Sequence, residues 1–313
     1  MKDKVLITGG AGFIGSHLAH KLVDEGYGVV LLDNLQRGRT EYISDLVSKK
    51  TAQFVKGDVR NSKTVFECMK DAKYVFHEAS LCINYCFSHP EECLDANING
   101  SYNVFKAAKE LGVKRVIFAS SASVYGNASH FPTNEEDKLS PLTPYCVSKI
   151  TGEYLLKISG VEYNILRYFN VYGARQSTDA YYTSVIVNFI RKLIANESPI
   201  IHGDGMQTMD FINVHDIVEA NYLAMLTSRA NEVYNVANGK STSVNDLYRT
   251  LAQLLNSKVE PVYKPFPPTG KLVTRRQADI SRLESIGWKP KVDLKEGLSA
   301  LVNDVIRNPS FYG

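Results

Sequence analysis

Tyr145 and Lys149 lie four residues apart, directly after Pro144. On a helix that spacing puts both side chains on one face. A tyrosine hydroxyl has an ordinary pKa near ~10 and is a poor base at neutral pH. An ammonium one turn away favours the phenolate, which would let Tyr145 act as a general base. By chance alone this pair would mean two surface residues. It gains weight from the serine-rich run ASSASVYG, Ala119–Gly126, which should end a strand. A hydroxyl at Ser121 or Ser123 could bond a reacting oxygen and fix a substrate beside Tyr145.

A second constellation suits a dinucleotide. Gly9, Gly12 and Gly15 sit in TGGAGFIG, after a short apolar run and at the start of a helical pattern. A tight turn and a close approach to pyrophosphate need residues without a Cβ. The following helix offers free N–H groups and the positive end of its dipole. Asp33 ends the second apolar run, where a carboxylate can accept both hydroxyls of an adenosine ribose. It would repel a 2′-phosphate, so NAD is expected over NADP, although Arg37 and Arg39 leave the second open. Asp58 follows the third run and could contact the adenine edge or be a solvated loop acid.

These groups need a scaffold. Apolar runs at Val5–Thr8, Val29–Asp33, Gln53–Val55, Tyr74–His77, Val116–Ser120 and Ile165–Phe169 alternate with helical patterns, among them Phe13–Glu25, Asp95–Leu111 and Tyr145–Ile158. Short continuous apolar strands between helices predict a parallel sheet covered on both faces. The expected fold class is α/β: a doubly wound Rossmann sheet with a smaller mixed α/β C-terminal lobe. Residues 1–173 would form the dinucleotide-binding part and 174–313 mainly the substrate part, with a return to the first near 209–230. In the second part we expect helices at Tyr181–Ala195, Asp216–Leu226, Val244–Leu255 and Leu294–Ile306. A short strand is expected at Pro199–Ile201 and a proline-rich loop at Pro261–Pro268.

Composition bounds the rest. The 313 residues are 44% hydrophobic and 22% charged, with a net charge of +3. Acids and bases are interspersed, which argues against a nucleic-acid binder. No apolar stretch is long enough to span a bilayer, and the start has no signal-peptide pattern, so a cytoplasmic protein is expected. Five cysteines without that signal predict reduced thiols. Cys82, Cys86 and Cys93 lie near His77 and His89, but their spacing is not that of paired structural zinc ligands, and no metal is expected.

Taken together, the glycine turn, LLDNLQRG, NINGSYNV, ASSASVYG, the Tyr145–Lys149 pair, RYFNVYGARQ, GDGMQTMDFINVHD and IGWKPKVDLKEGL resemble the extended short-chain dehydrogenases/reductases. The resemblance is strongest to the UDP-glucose and UDP-N-acetylglucosamine 4-epimerases. It implies Ser121, Tyr145 and Lys149 as the catalytic triad. It implies NAD contacts at Phe13, Ile14, Asp33, Asn34, Leu35, Gln36, Arg37, Gly38, Asp58, Val59 and Asn97. Ala79, Ser80 and Leu81 would lie along the cofactor, and Phe169 near the nicotinamide. Asn170 would hold the nucleotide diphosphate. The helices near Asp95–Leu111 and Tyr145–Ile158 would pair into a homodimer.

Sister branches carry an Asp-Glu pair after the catalytic hydroxyl (4,6-dehydratases) or a Glu at the second of those positions (decarboxylases). Here the residues are Ala122 and Ser123, which fits 4-epimerisation. Other enzymes of the scaffold, or a non-catalytic NAD-binding sensor, are the alternatives. The chain also departs from the pattern. Met209 stands where relatives have an arginine, Cys82 where they often have a lysine, and the usual R-x-G-D before QADI is missing. Arg275 or Arg276 could supply the lost charge. Arg276 aligns with a position at the sugar end, where a guanidinium would suit an acidic sugar or simply be solvated.

Overall fold

The computed structural model describes residues 2–176, 184–266 and 273–312. Successive residues of a strand face opposite sides of a sheet, and the first strand shows what this requires of a central strand. Val5 and Ile7 pack into one core, Leu6 into another, and all three are fully buried.

The first half runs β1 (Lys4–Thr8), α1 (Phe13–Asp24), β2 (Gly28–Asp33), α2 (Ser44–Ser48), β3 (Ala52–Lys56), α3 (Ser62–Met69), β4 (Ala72–His77), α4 (Ile83–Ser88) and α5 (Pro90–Leu94). A π-helical turn, Asp95–Asn99, leads into α6 (Gly100–Glu110). Then come β5 (Arg115–Ser121), α7 (Pro144–Ile158), β6 (Tyr163–Tyr168) and β7 (Asn170–Tyr172). The second half adds α8 (Val185–Ile194), β8 (Ile200–His202), β9 (Thr208–Met209), β10 (Phe211–Asn213), α9 (Val214–Leu226), β11 (Glu232–Val236), β12 (Thr242–Ser243), α10 (Val244–Leu254), β13 (Val262–Lys264), α11 (Ser281–Glu284) and α12 (Leu294–Arg307).

Seven strands form one sheet in the order β11-β6-β5-β4-β1-β2-β3. Every pairing in it is parallel. Leu18 and Leu22 of α1, with Ile217 and Ala224 of α9, cover one face; Val65 of α3, Phe105 of α6 and Leu156 of α7 cover the other. This is the expected doubly wound α/β sheet. The strand order reverses between β1 and β4, and a ligand crevice forms at the carboxyl ends beside such a reversal. A third core, built by α8, α10 and α12 around Tyr172 and Phe211, makes the smaller mixed lobe.

Three expectations change. Glu232–Val236, read from sequence as no element, is the seventh strand of the main sheet. Pro261–Pro268 is not simply a loop: Val262–Lys264 pairs with Ile200–His202, because β-branched and aromatic residues there meet an open edge between flanking prolines. Its last two residues, like the first three of the helix expected at Tyr181–Ala195, lie outside the described residues; the rest of that helix is α8. The cysteines are not all reduced: α4 and α5 abut at His89 and bring Cys86 and Cys93 to a Cα separation of 4.9 Å, and the two form a disulfide. No helix among the described residues is long and apolar enough to cross a membrane.

Candidate active site

One elongated cleft runs along the carboxyl edge of the sheet. Its walls include Gly9, Gly12, Phe13, Ile14, Gly15, Asp33, Asn34, Gln36, Arg37, Gly38, Asp58, Val59, Ala79, Ser80 and Leu81 at one end. Ser121, Ser123, Tyr145, Phe169, Asn170 and Arg276 line the other. Sequence reasoning therefore named residues at the ends of six strands, on α7 and at Arg276 that the fold brings to one surface. Leu35, Asn97 and Lys149 stand behind it. Asn97 fixes the wall: its Oδ1 accepts from Leu81 N at 2.7 Å and its Nδ2 donates to Leu81 O at 3.3 Å. Leu35 N donates to Asp33 Oδ1 at 2.8 Å.

The glycine turn is shaped by close approach. Gly9 has φ +70°, and a Cβ there would come within 2.8 Å of Ala79 N, on the neighbouring strand end. A Cβ on Gly15 would overlap Gly9 O. Gly12 begins α1 without a side-chain cap, so the first-turn N–H groups of Phe13 and Ile14 line the cleft unpaired by a cap. Asp33 accepts from Ala11 N (3.0 Å) and Leu35 N, and burial pushes its pKa up. Gly38 approaches so closely that a Cβ would lie 2.6 Å from Asp33 Oδ1. An anion-binding helix start beside a buried carboxylate fits the pyrophosphate and ribose of a dinucleotide. Asp58 is held by Arg60 in two side-chain hydrogen bonds and one from its backbone N–H, which lower its pKa to about 2, and it accepts from Asn34 Nδ2 at 2.8 Å.

At the other end, Thr143 caps α7 by accepting from Cys146 N, and Pro144 occupies the first turn. That start aims Tyr145 into the cleft and turns Lys149 inward. Lys149 Nζ lies 5.6 Å from the Tyr145 ring centre and donates to Ala119 O at 2.8 Å. Burial pushes its pKa down to about 8, opposed by the charges of Glu78 and Glu153. One turn further along α7, Glu153 receives two hydrogen bonds from Arg167, at 2.9 and 2.7 Å, and one from Ser120 Oγ at 2.5 Å. Arg167 also donates to Tyr125 Oη at 2.9 Å, which donates to Asn235 Oδ1 at 2.7 Å. This buried network ties the end of β5, hence Ser121, to α7, hence Tyr145.

Sequence reasoning missed Glu78. Its carboxyl lines the cleft just past β4, accepts from Tyr168 Oη at 2.8 Å, and is pushed up to about 7 by burial. A single acid after an apolar run carries no periodic signal. His77, considered as a metal ligand, is instead held between Thr8 Oγ1 (2.7 Å) and Ser101 Oγ (2.9 Å), and burial lowers its pKa to about 3. The two candidate arginines separate because neighbours in an extended segment point opposite ways. Arg275 lies over the Phe131 ring at 4.4 Å and lines a second hollow with Gln207 and Thr208; Arg276 enters the main cleft. Met209 packs on the third core and lines neither.

A seven-stranded parallel sheet with a glycine turn, a carboxylate at the end of its second strand and a Ser-Tyr-Lys set defines an extended short-chain dehydrogenase/reductase. A family model described as "NAD dependent epimerase/dehydratase family" matches residues 5–237, and the chain belongs to that family, whose cofactor is NAD. A Methanocaldococcus jannaschii protein, provisionally named a UDP-glucose 4-epimerase, is 40% identical over 96% of this chain and 97% of its own. The solved UDP-N-acetylglucosamine 4-epimerase of Methanobrevibacter ruminantium, in complex with UDP-N-acetylmuramic acid, superposes with a TM-score of 0.93 at 36% identity, covering 98% of this chain and 99% of that one. The UDP-N-acetyl-alpha-D-glucosaminuronate decarboxylase of Bacillus cytotoxicus is 32% identical over 96% of this chain and 97% of its own. The protein is thus an enzyme of the NAD-dependent epimerase/dehydratase family, whose relatives include epimerases and decarboxylases named for UDP-sugars.

Proposed function

We propose that the chain is a nucleotide-sugar 4-epimerase acting on a UDP-linked hexose through a 4-keto intermediate. One observation carries the choice of reaction. After Ser121 the cleft wall continues with Ala122 and Ser123, so no carboxyl follows the catalytic hydroxyl to remove a proton from C5 or to assist elimination. The nearby acid, Glu78, is tied to Tyr168.

Tyr145 takes the proton of the sugar 4-hydroxyl, and Ser121 hydrogen-bonds the same oxygen. Lys149, fixed on Ala119 O, stabilises the Tyr145 phenolate and can hold a ribose hydroxyl of the cofactor. NAD, when bound, supplies the hydride acceptor that takes hydrogen from C4 and gives it back. The 4-keto sugar turns over in the cleft, so that the hydrogen returns to the opposite face of C4 while Tyr145 gives its proton back to the 4-oxygen. The turn around Gly12, with Phe13, Ile14 and Asp33 to Gly38, holds the dinucleotide; Asn170 holds the sugar nucleotide's diphosphate. The part of the chain after residue 173 serves mainly the sugar nucleotide.

We also read the protein as a homodimer through α6 and α7. Tyr102, Val147, Tyr154 and Ile158 expose 53, 43, 58 and 79% of their surface there, an apolar face of the kind that oligomers cover.

The test is incubation of the purified protein with UDP-linked glucose, N-acetylglucosamine and glucuronate and their galacto forms, with 4-epimers resolved by chromatography. Interconversion of a pair without net NADH is expected. Loss of carbon dioxide or water would assign a sister reaction.

A further inference from the structure

The sugar end of the cleft holds two donors short of acceptors among the described residues. Arg276 Nη1 donates to Ala122 O at 2.6 Å, the only hydrogen bond of its guanidinium among the described residues. Among the described residues, the groups acting on its charge are Cys146 and Tyr125, and no carboxylate is among them. Burial pushes its pKa down to about 10, and among the described residues no anion offsets that cost. Ser123 Oγ, on the next residue after Ala122, is buried and has no hydrogen-bond partner among the described residues. Both line the cleft with Tyr145 and Ser121.

A guanidinium carries five N–H donors in a planar fork that matches a carboxylate bidentately. A desolvated cation without a partner is unfavourable, and an arriving anion removes that penalty. A neutral hydroxymethyl group could not do so. The site lies beside the reacting groups, at the end of the cleft opposite the glycine turn, which separates it from the pyrophosphate of the cofactor.

We propose that Arg276 and Ser123 form a carboxylate-recognition site at the sugar end of the cleft, so that the preferred substrate is a nucleotide-linked acidic sugar. The inference deepens the 4-epimerase reading and rests on its placement of the sugar beside Tyr145. Two sources share this chemistry: a carboxylate at C6, as in UDP-glucuronate, and one carried on the C3 oxygen, as in UDP-N-acetylmuramate.

The experiment titrates UDP-glucuronate, UDP-N-acetylmuramate, UDP-glucose and UDP alone into the NAD-loaded protein, and repeats this with Arg276→Met and Arg276→Lys. At least one acidic sugar should bind tighter than UDP-glucose by about ten-fold or more, the range of a hydrogen-bonded charge. Arg276→Met should collapse that ratio while changing UDP affinity much less, and Arg276→Lys should restore part of it. Equal or weaker binding of both acidic sugars by the wild-type protein would overturn the inference, and needs no variant to fold. Loss of UDP and acidic-sugar affinity in equal measure in Arg276→Met would also overturn it, assigning Arg276 to the diphosphate. If UDP-glucose and UDP-galactose interconvert while acidic sugars are disfavoured, the inference fails and the epimerase reading stands. If acidic sugars bind preferentially but none is epimerised, the reverse holds.

Discussion

The two walls of the cleft's sugar end are built differently. One wall, Ser121 with Tyr145, grows from the sheet and α7 and is locked by Glu153, Arg167, Tyr125 and Asn235, all buried. The opposite wall, Arg276, belongs to an irregular segment outside the sheet, held by isolated parallel bridges of Arg275 to Thr208 and of Ala278 to Thr133, by a backbone bond from Arg276 N to Thr208 O at 2.9 Å, and by the bond from Arg276 Nη1 to Ala122 O. In the proposed reading, the chemistry stands on the wall built from the sheet and the choice of sugar on the wall built outside it. A scaffold of this kind can keep one reaction and change its substrate by altering a few residues outside the sheet.

This contrast can be broken by substitution. The largest effect is expected at the rigid wall: Tyr145→Phe should lower kcat by about 10²–10⁴-fold, the usual worth of a general acid–base group, with NAD binding by fluorescence titration retained. If NAD affinity fell equally, Tyr145 would be structural. Next, Arg167→Met leaves the Glu153 carboxylate buried without its partner and should destabilise the fold by about 3–5 kcal/mol in denaturant unfolding. A change below about 1 kcal/mol, as for exposed pairs, would show the network is not what holds that wall. Glu78→Gln should act through Lys149, which must stay protonated and loses its proton as pH rises through about 8. Glu78 ionises near 7 and raises the Lys149 pKa, so removing it lowers that pKa and moves the alkaline limb of the kcat profile to lower pH. An unmoved limb would separate Glu78 from the lysine. The smallest effect belongs to the other wall: Arg275→Ala, losing an exposed cation–π contact with Phe131, should change stability by only about 0.5–1 kcal/mol.

The same contrast explains what could be read from the sequence. Central strands such as Val29–Asp33 are apolar on both faces and stop at a functional residue, so the sheet and its cofactor edge were legible. Tyr145 and Lys149 were legible because helical spacing joins them. Glu232–Val236 escaped, since Glu232, Tyr234 and Asn235 break the apolar run, and Asn235 is buried because Tyr125, Glu135, Thr133 and Asp279 bond it. Glu153 and Arg167 carry no sequence signal of their pairing, which exists only once β6 and α7 are packed together. The Cys86–Cys93 bond depends on how two short helices abut, which spacing alone does not state. Arg275 and Arg276 could be told apart only once the bridge to Thr208 fixed which of them enters the cleft.

The most direct test of the central claim uses a UDP-hexose labelled with deuterium at C4, followed by mass spectrometry and NMR of the products. A 4-epimerase returns the hydrogen it removed, so the epimer formed should keep the label at C4, with unchanged mass and no exchange with water. Label found at C6 with loss of water, or a product lighter by carbon dioxide from an acidic sugar, would contradict the account and place the chain with the dehydratases or decarboxylases.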